Sequence, residues 1–162
     1  MQVTTIRRAV GQDAEPLTAL VQGSSAYRGR YAPMISGYRV TGDYIARHEV
    51  FAAVGPAVGP ASGAAGGAAG QLLGFYALIL DPPELDLMFV ADAAQGLGVG
   101  RLLVEHMKGR AAEAGVTDVR VVSHPPAERF YRRLGAEPVG TVAPLPPKVT
   151  WERPELRFSI AR

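Results

Sequence analysis

Seven residues in the middle of the chain, Gln95-Gly96-Leu97-Gly98-Val99-Gly100-Arg101, have the composition to hold an anion on backbone alone. Glycines at alternate positions leave no Cβ in the way of a ligand. They also free the chain for positive φ, so that successive N–H groups converge on one anion. The run follows an apolar strand pattern and opens a helix pattern that starts near Gly98. A helix start adds unpaired first-turn N–H groups and the positive end of its dipole. The chemistry is recognition of a phosphate-bearing ligand. Two other cradles do not fit: a dinucleotide fingerprint, G-x-G-x-x-G, needs glycine where Arg101 stands, and the Gly-Lys-Ser/Thr of a P-loop is absent. What fits is Gln-x-x-Gly-x-Gly, on Gln95, Gly98 and Gly100.

Upstream, Glu84 and Asp86 lie two residues apart in an extended run, which puts both on one side of a strand. One half-buried carboxylate beside another has its pKa raised toward a range useful for accepting a proton. The chain has no cysteine, so disulfides, Cys metal sites and an acyl-enzyme on sulfur are closed to it. His48, His106 and His124 are far apart and lack ligand spacing, so no metal is expected. His106 reads as a helix residue near the core boundary.

The elements that position these groups follow from patterning. With 162 residues, 48% of them apolar, the chain suits one domain with a sizeable core. No apolar run reaches the roughly 18–20 residues of a membrane span. The start, MQVTTIRRAV, lacks the layout of a secretory signal. A cytoplasmic protein is expected. The formal charge is +2 with scattered arginines, so neither nucleic acid nor membrane is an expected partner.

Val3–Arg8 reads as a strand and Asp13–Val21 as a helix, with Leu17, Leu20 and Val21 at helical spacing. Residues 22–40 read as a surface loop or broken helix outside the core. Thr41 caps a short helix through Arg47, and Glu49–Val54 is a strand. Residues 55–70, with six glycines, six alanines and two prolines, read as a mobile hairpin tip. Leu72–Leu80 and Glu84–Val90 are strands, the second central, with Leu85, Leu87 and Phe89 on one face and Met88 and Val90 on the other. The helix after the cradle presents Val99, Leu102, Leu103, His106, Met107 and Arg110, and Gly115 ends it. Val119–Val122 is a strand, Ala127–Leu134 a helix stopped by Gly135, and Pro138–Val142 a strand. Pro144–Pro147 is a stiff connector, and Leu156–Ile160 is the last strand. The sum is a single α/β domain, residues 1–162, around one mixed sheet.

Two stretches, LMFVADAAQGLGVGRLL and HPPAERFYRRLGA, resemble the cofactor motif and the following motif of the GCN5-related N-acetyltransferases, in the usual order. The resemblance covers roughly residues 72–142 strongly and the first third loosely. It implies an α+β domain: a mixed, mostly antiparallel sheet flanked by helices, with a splayed strand pair that takes CoA. It implies acetyl-CoA as co-substrate and transfer of acetyl to a primary amine of a small molecule or peptide, by direct attack in a ternary complex.

On that resemblance, the backbones of Met88 and Val90 pair with the pantetheine amides. Gln95, Gly96, Leu97, Gly98, Val99, Gly100 and Arg101 hold the pyrophosphate, and Arg101 reads equally as an exposed helix residue. His124 stands where the family commonly has Asn, and imidazole also donates or accepts. Ala136 replaces a frequent Phe. Tyr131 is the family's tyrosine, whose phenol donates to the departing thiolate. Glu84, eleven residues before Gln95, matches the strand carboxylate that some members use as general base. Asp86 is its neighbour, assigned to the acceptor.

The acceptor borders residues 27–38 in this family. Tyr27, Arg28, Arg30, Tyr31 and Tyr38 there suit an acceptor with both an amine and a carboxylate. Trp151 closes the other side or anchors the last strand. A homodimer is compatible with this reading. Two alternatives stand beside it: a non-catalytic CoA-binding regulatory module, and a binding protein for another phosphorylated ligand such as a nucleotide.

Overall fold

The structure, a computed structural model, describes residues 4–27, 29–55, 70–147 and 149–160, with backbone alone at 26 and 30. Most of the Gly/Ala-rich run and Arg28, assigned above to a hairpin tip and to the acceptor, lie outside the described residues. Strands β1 (Thr5–Arg8), β2 (Glu49–Gly55), β3 (Gln71–Leu80), β4 (Pro83–Val90), β5 (Asp118–Val122), β6 (Glu137–Val142) and β7 (Arg153–Ser159) form one sheet. Its order is β1-β2-β3-β4-β5-β7-β6, so β4 is central. Helices α1 (Ala14–Gln22) and α2 (Gly42–Arg47) cover one face, and α3 (Val99–Glu113) and α4 (Glu128–Arg133) the other. Among the described residues no helix is long and apolar enough to cross a membrane.

Two apolar layers result. On the α3/α4 face, Tyr76, Leu78, Leu103, Met107, Val119, Leu156 and Phe158 form a buried cluster. On the α1/α2 face, Leu17, Val21, Val50, Phe75, Ala77 and Phe89 form the second. Covered on both faces, β2 and β3 are buried almost throughout, which is why their sequences are continuous apolar runs. Truncating a fully buried Leu103 or Met107 to Ala costs about 2–5 kcal/mol.

Local chemistry sets the helix ends. Thr41 accepts a hydrogen bond from the Tyr44 N–H at 3.1 Å and caps α2. Both α3 and α4 end at a left-handed glycine, Gly115 and Gly135. The two N–H groups at each end fold back: Gly115 to the Ala112 carbonyl and Val116 to Ala111, Gly135 to Arg132 and Ala136 to Tyr131.

Three expectations need correction. Leu102 does not belong to the core face of α3: it is 45% exposed, and the buried stripe runs through Val99, Leu103, Val104, Met107 and Ala111. Residues 22–40 are not merely surface. Gln22 Nε2 donates to the carbonyls of Ile35 and Tyr38, Thr18 Oγ1 donates to the Val40 carbonyl, and Tyr27, Ile35 and Tyr38 pack on the second cluster. Leu85 does not share a face with Leu87 and Phe89. Ala77 pairs with Leu87 but Leu78 pairs with Leu85, so Asp86 is one residue extra, and alternation flips across it. Leu85 accordingly packs toward α3, and Leu87 and Phe89 toward α1.

Candidate active site

Among the described residues only β4 and β5 run parallel, and their ladder holds at Glu84 and Arg120 alone. Beyond that pair the edge of β4 is open. The Ala91 N–H bonds the Leu73 carbonyl across β3 at 2.8 Å. By alternation, the N–H and C=O groups of Val90 and Met88 face the gap where β5 would otherwise lie. A cavity of about 430 Å³ occupies this gap, lined among others by Tyr27, Tyr38, Glu84, Asp86, Met88, Val90, Gln95, His124, Tyr131 and Arg153.

The cradle lies at the C-terminal end of β4. Gln95 Nε2 donates to the Val90 carbonyl at 3.0 Å, and tethers the loop to its strand. Gly96 and Gly98 both have positive φ, 80° and 84°. The Gln95 and Leu97 N–H groups are engaged by Asp92 and Ala94 carbonyls. Those of Gly96, Gly98, Val99, Gly100 and Arg101 have no acceptor among the described residues, because intrahelical bonding begins with Leu102 donating to Gly98. A Cβ built on Gly96 or Gly98 meets nothing within 4 Å, so the space ahead of the loop is open. Free donors around open space fit a diphosphate. Gly100 does a different job: its Cβ would stand 2.9 Å from the Phe130 ring, so it lets α3 approach α4.

Tyr131 projects from α4 into the α3/α4 cluster, edge-on to Phe130 and Phe158, and lines the cavity. Burial, with a smaller contribution from Tyr27, pushes its phenol above the ordinary tyrosine range. The hydroxyl is therefore a proton-carrying donor at neutral pH. His124 is buried, and the Tyr27 ring stacks on it at 4.2 Å and 18°. Burial pushes Tyr27 up to about 12. Tyr31 meets His124 and Trp151 edge-on and stands behind this stack, away from the cavity lining. Arg101 is exposed on the first turn of α3.

The two carboxylates do not act on each other as a bare pair. Glu84 is ion-paired to Arg120 at 3.3 Å, and Arg120 also holds Glu155 at 2.9 Å. Asp86, on the bulge, accepts from the Tyr44 hydroxyl at 2.5 Å. Burial, and then that hydrogen bond, push the Tyr44 phenol above its ordinary range, so it stays a donor. Tyr44, Arg120 and Arg153 lie outside both motifs, and spacing gave no signal for them. Ser25 is a further such residue: its N–H and hydroxyl both bond Asp92, which ties residues 25–27 to the start of the cradle.

Residues 64–142 match the family model of the acetyltransferase (GNAT) domain. No curated protein sequence matches significantly. Among solved structures, a GCN5-related N-acetyltransferase from Rhodopseudomonas palustris is similar at 16% identity and a TM-score of 0.70, covering 97% of this chain and 96% of that one. An IAA acetyltransferase from Bacillus cereus is similar at 17% identity and TM-score 0.66, covering 97% and 99%. A PaiA N-acetyltransferase from Thermoplasma acidophilum, in complex with coenzyme A, is similar at 16% identity and TM-score 0.66, covering 97% and 99%. At such identities the structures speak for the fold. Residues 64–142 thus match the GNAT acetyltransferase domain, and the described residues take the fold of solved GNAT acetyltransferases.

Proposed function

We propose that the protein transfers an acetyl group from acetyl-CoA to a primary amine of a small molecule or peptide, by direct attack in a ternary complex in the cytoplasm. The observation that supports this reading is one cavity joining the open edge of β4, Tyr131 and the Glu84 and Asp86 carboxylates. When bound, acetyl-CoA supplies the acetyl group as a thioester. The N–H groups of Gly96, Gly98, Val99, Gly100 and Arg101 hold the diphosphate. The backbones of Met88 and Val90 bind the pantetheine arm as an added strand, and His124 lines its path.

Substrate amines are mostly ammonium at neutral pH, so a proton must leave before attack. Glu84 takes it, directly or through water, while Asp86 helps to place the amine. Tyr131, protonated because it is buried, donates to the departing sulfur. Arg120 and Tyr44 keep the two carboxylates in place.

The test is calorimetric titration with acetyl-CoA, with ATP as control, followed by a thiol-release assay over a panel of amines. The expected result is micromolar binding of acetyl-CoA, none of ATP, and amine-dependent release of CoA. Binding without release across the panel would instead support a CoA-binding module. Absence of acetyl-CoA binding overturns the reading.

A further inference from the structure

We propose that Arg153 is the acceptor's anion anchor, and that the substrate class is therefore an amine carrying a carboxylate. This rests on the acetyl-transfer reading above and names the acceptor for that same site. Arg153 opens β7 and is the one guanidinium or ammonium among the described residues that line the cavity. Its Nε is buried and has no hydrogen-bond partner among them. Arg7, Arg8, Arg47, Arg110, Arg120 and Arg157 each hold a carboxylate within 4.0 Å, whereas Arg153 holds none among the described residues. A buried N–H left without an acceptor is destabilising, a cost that a bound acceptor removes.

Strand geometry places this cation on the acceptor side. Leu156 and Phe158 pack toward α3, so by alternation Arg153, Glu155 and Arg157 face the other way. Arg157 stands opposite Arg120, which stands opposite Glu84. Arg153 is four residues further along, about 13 Å of strand. The cavity is thus lined by carboxylates toward one end and by Arg153, which holds no carboxylate among the described residues, toward the other. An ammonium is drawn to the first and an anion to the second. A guanidinium matches a carboxylate bidentately through a pair of N–H groups. A dianionic phosphate fits less well, because Glu84 and Asp86 line the same cavity.

The experiment records the arginine Nε–H resonances of ¹⁵N-labelled protein, with and without CoA. Amino acids whose amine and carboxylate are separated by one to five carbons are added, each paired with its primary amide and its phosphonate. At least one acid is expected to shift the Arg153 signal and to bind tenfold or more tightly than its amide and its phosphonate. Arg153→Met is expected to erase that difference and Arg153→Lys to keep part of it, with acetyl-CoA affinity unchanged in both. If no acid moves the signal, or if the preference survives in Arg153→Met, the proposal is overturned. A phosphonate that outbinds its acid also overturns it. Because the arms without CoA read the anchor alone, loss of the acetyl-transfer reading shows separately, as failure to bind acetyl-CoA.

Discussion

On the proposed reading, the two ends of β4 hold their ligands by opposite means. At the C-terminal end, the cradle uses backbone: N–H groups of five consecutive or near-consecutive residues, exposed by two left-handed glycines and a helix start. At the N-terminal end, the acceptor side uses two carboxylates, each with a partner from another element: Glu84 with Arg120 of β5, Asp86 with Tyr44 of α2. A backbone site is built by one short segment and tolerates changes to most of its side chains. A side-chain site is built by the whole fold, so its specificity moves with substitutions far away in sequence.

That difference sets the expected order of effects. Gly98→Val has the largest effect on cofactor affinity. It places a β-branched residue at a φ of 84° and puts a side chain in the space ahead of the loop. The left-handed conformation alone costs about 1–2 kcal/mol for an L-residue. Acetyl-CoA affinity is expected to fall by at least about 100-fold, equivalent to about 2.7 kcal/mol, when titrated calorimetrically. Glu84→Gln is expected to behave in the opposite way, with affinity for acetyl-CoA kept and turnover lowered by roughly 10²–10⁴. A drop in affinity without loss of turnover would place Glu84 in the cradle's half of the site.

Tyr131→Phe sharpens the comparison from the third side. Turnover is expected to fall by about 10-fold or more with acetyl-CoA affinity unchanged. Because the phenol lies above its ordinary range, the ratio of wild-type to variant rates should stay constant from pH 7 to pH 10. A ratio that collapses near pH 9 would show a phenol of lowered pKa. The same burial has a stability consequence. Tyr27, Tyr76 and Tyr131 are all raised in the folded chain, so their contribution is complete below about 10, the unfolded value. It is lost as pH rises through the folded values, at about 1.4 kcal/mol per pH unit for each tyrosine. The melting temperature should therefore hold to pH 9 and fall steeply between pH 10 and 12.

How far sequence reading reached follows the same division. The cradle and the helix and strand that frame it lie within one continuous run, so glycine spacing and apolar periodicity were enough to locate them. Thr41, Gly115 and Gly135 announce their helix ends by residue type alone. The open edge of β4 came only with the family resemblance, and the order of strands beyond simple neighbours was not read from the sequence. The bulge at Asp86 left no mark, since Glu-Leu-Asp-Leu reads as clean alternation while the extra residue depends on β3. Tyr44, Arg120 and Arg153 were invisible because tertiary packing alone brings the first two to Asp86 and Glu84 and the third to the cavity. The packed character of residues 22–40 was hidden by its Gly, Ser and Arg content, although its tyrosines were singled out for the site.

The smallest expected effect separates the glycines from one another. Gly100→Ala meets the Phe130 ring at 2.9 Å and is expected to cost about 1–3 kcal/mol of stability, seen as a lower melting temperature. Acetyl-CoA affinity should change by no more than about threefold. A loss as large as that of Gly98→Val would mean that a Cβ at Gly100 reaches the ligand's space as well as the Phe130 ring.

The most direct measurement is a side-by-side calorimetric titration of acetyl-CoA into wild type, Gly98→Val and Glu84→Gln, each first checked for native circular dichroism. Micromolar affinity is predicted for wild type and Glu84→Gln, with no measurable binding by Gly98→Val. Equal affinity in all three, or loss of affinity in Glu84→Gln alone, would contradict a cofactor held by backbone at one end of β4 and an acceptor served by side chains at the other.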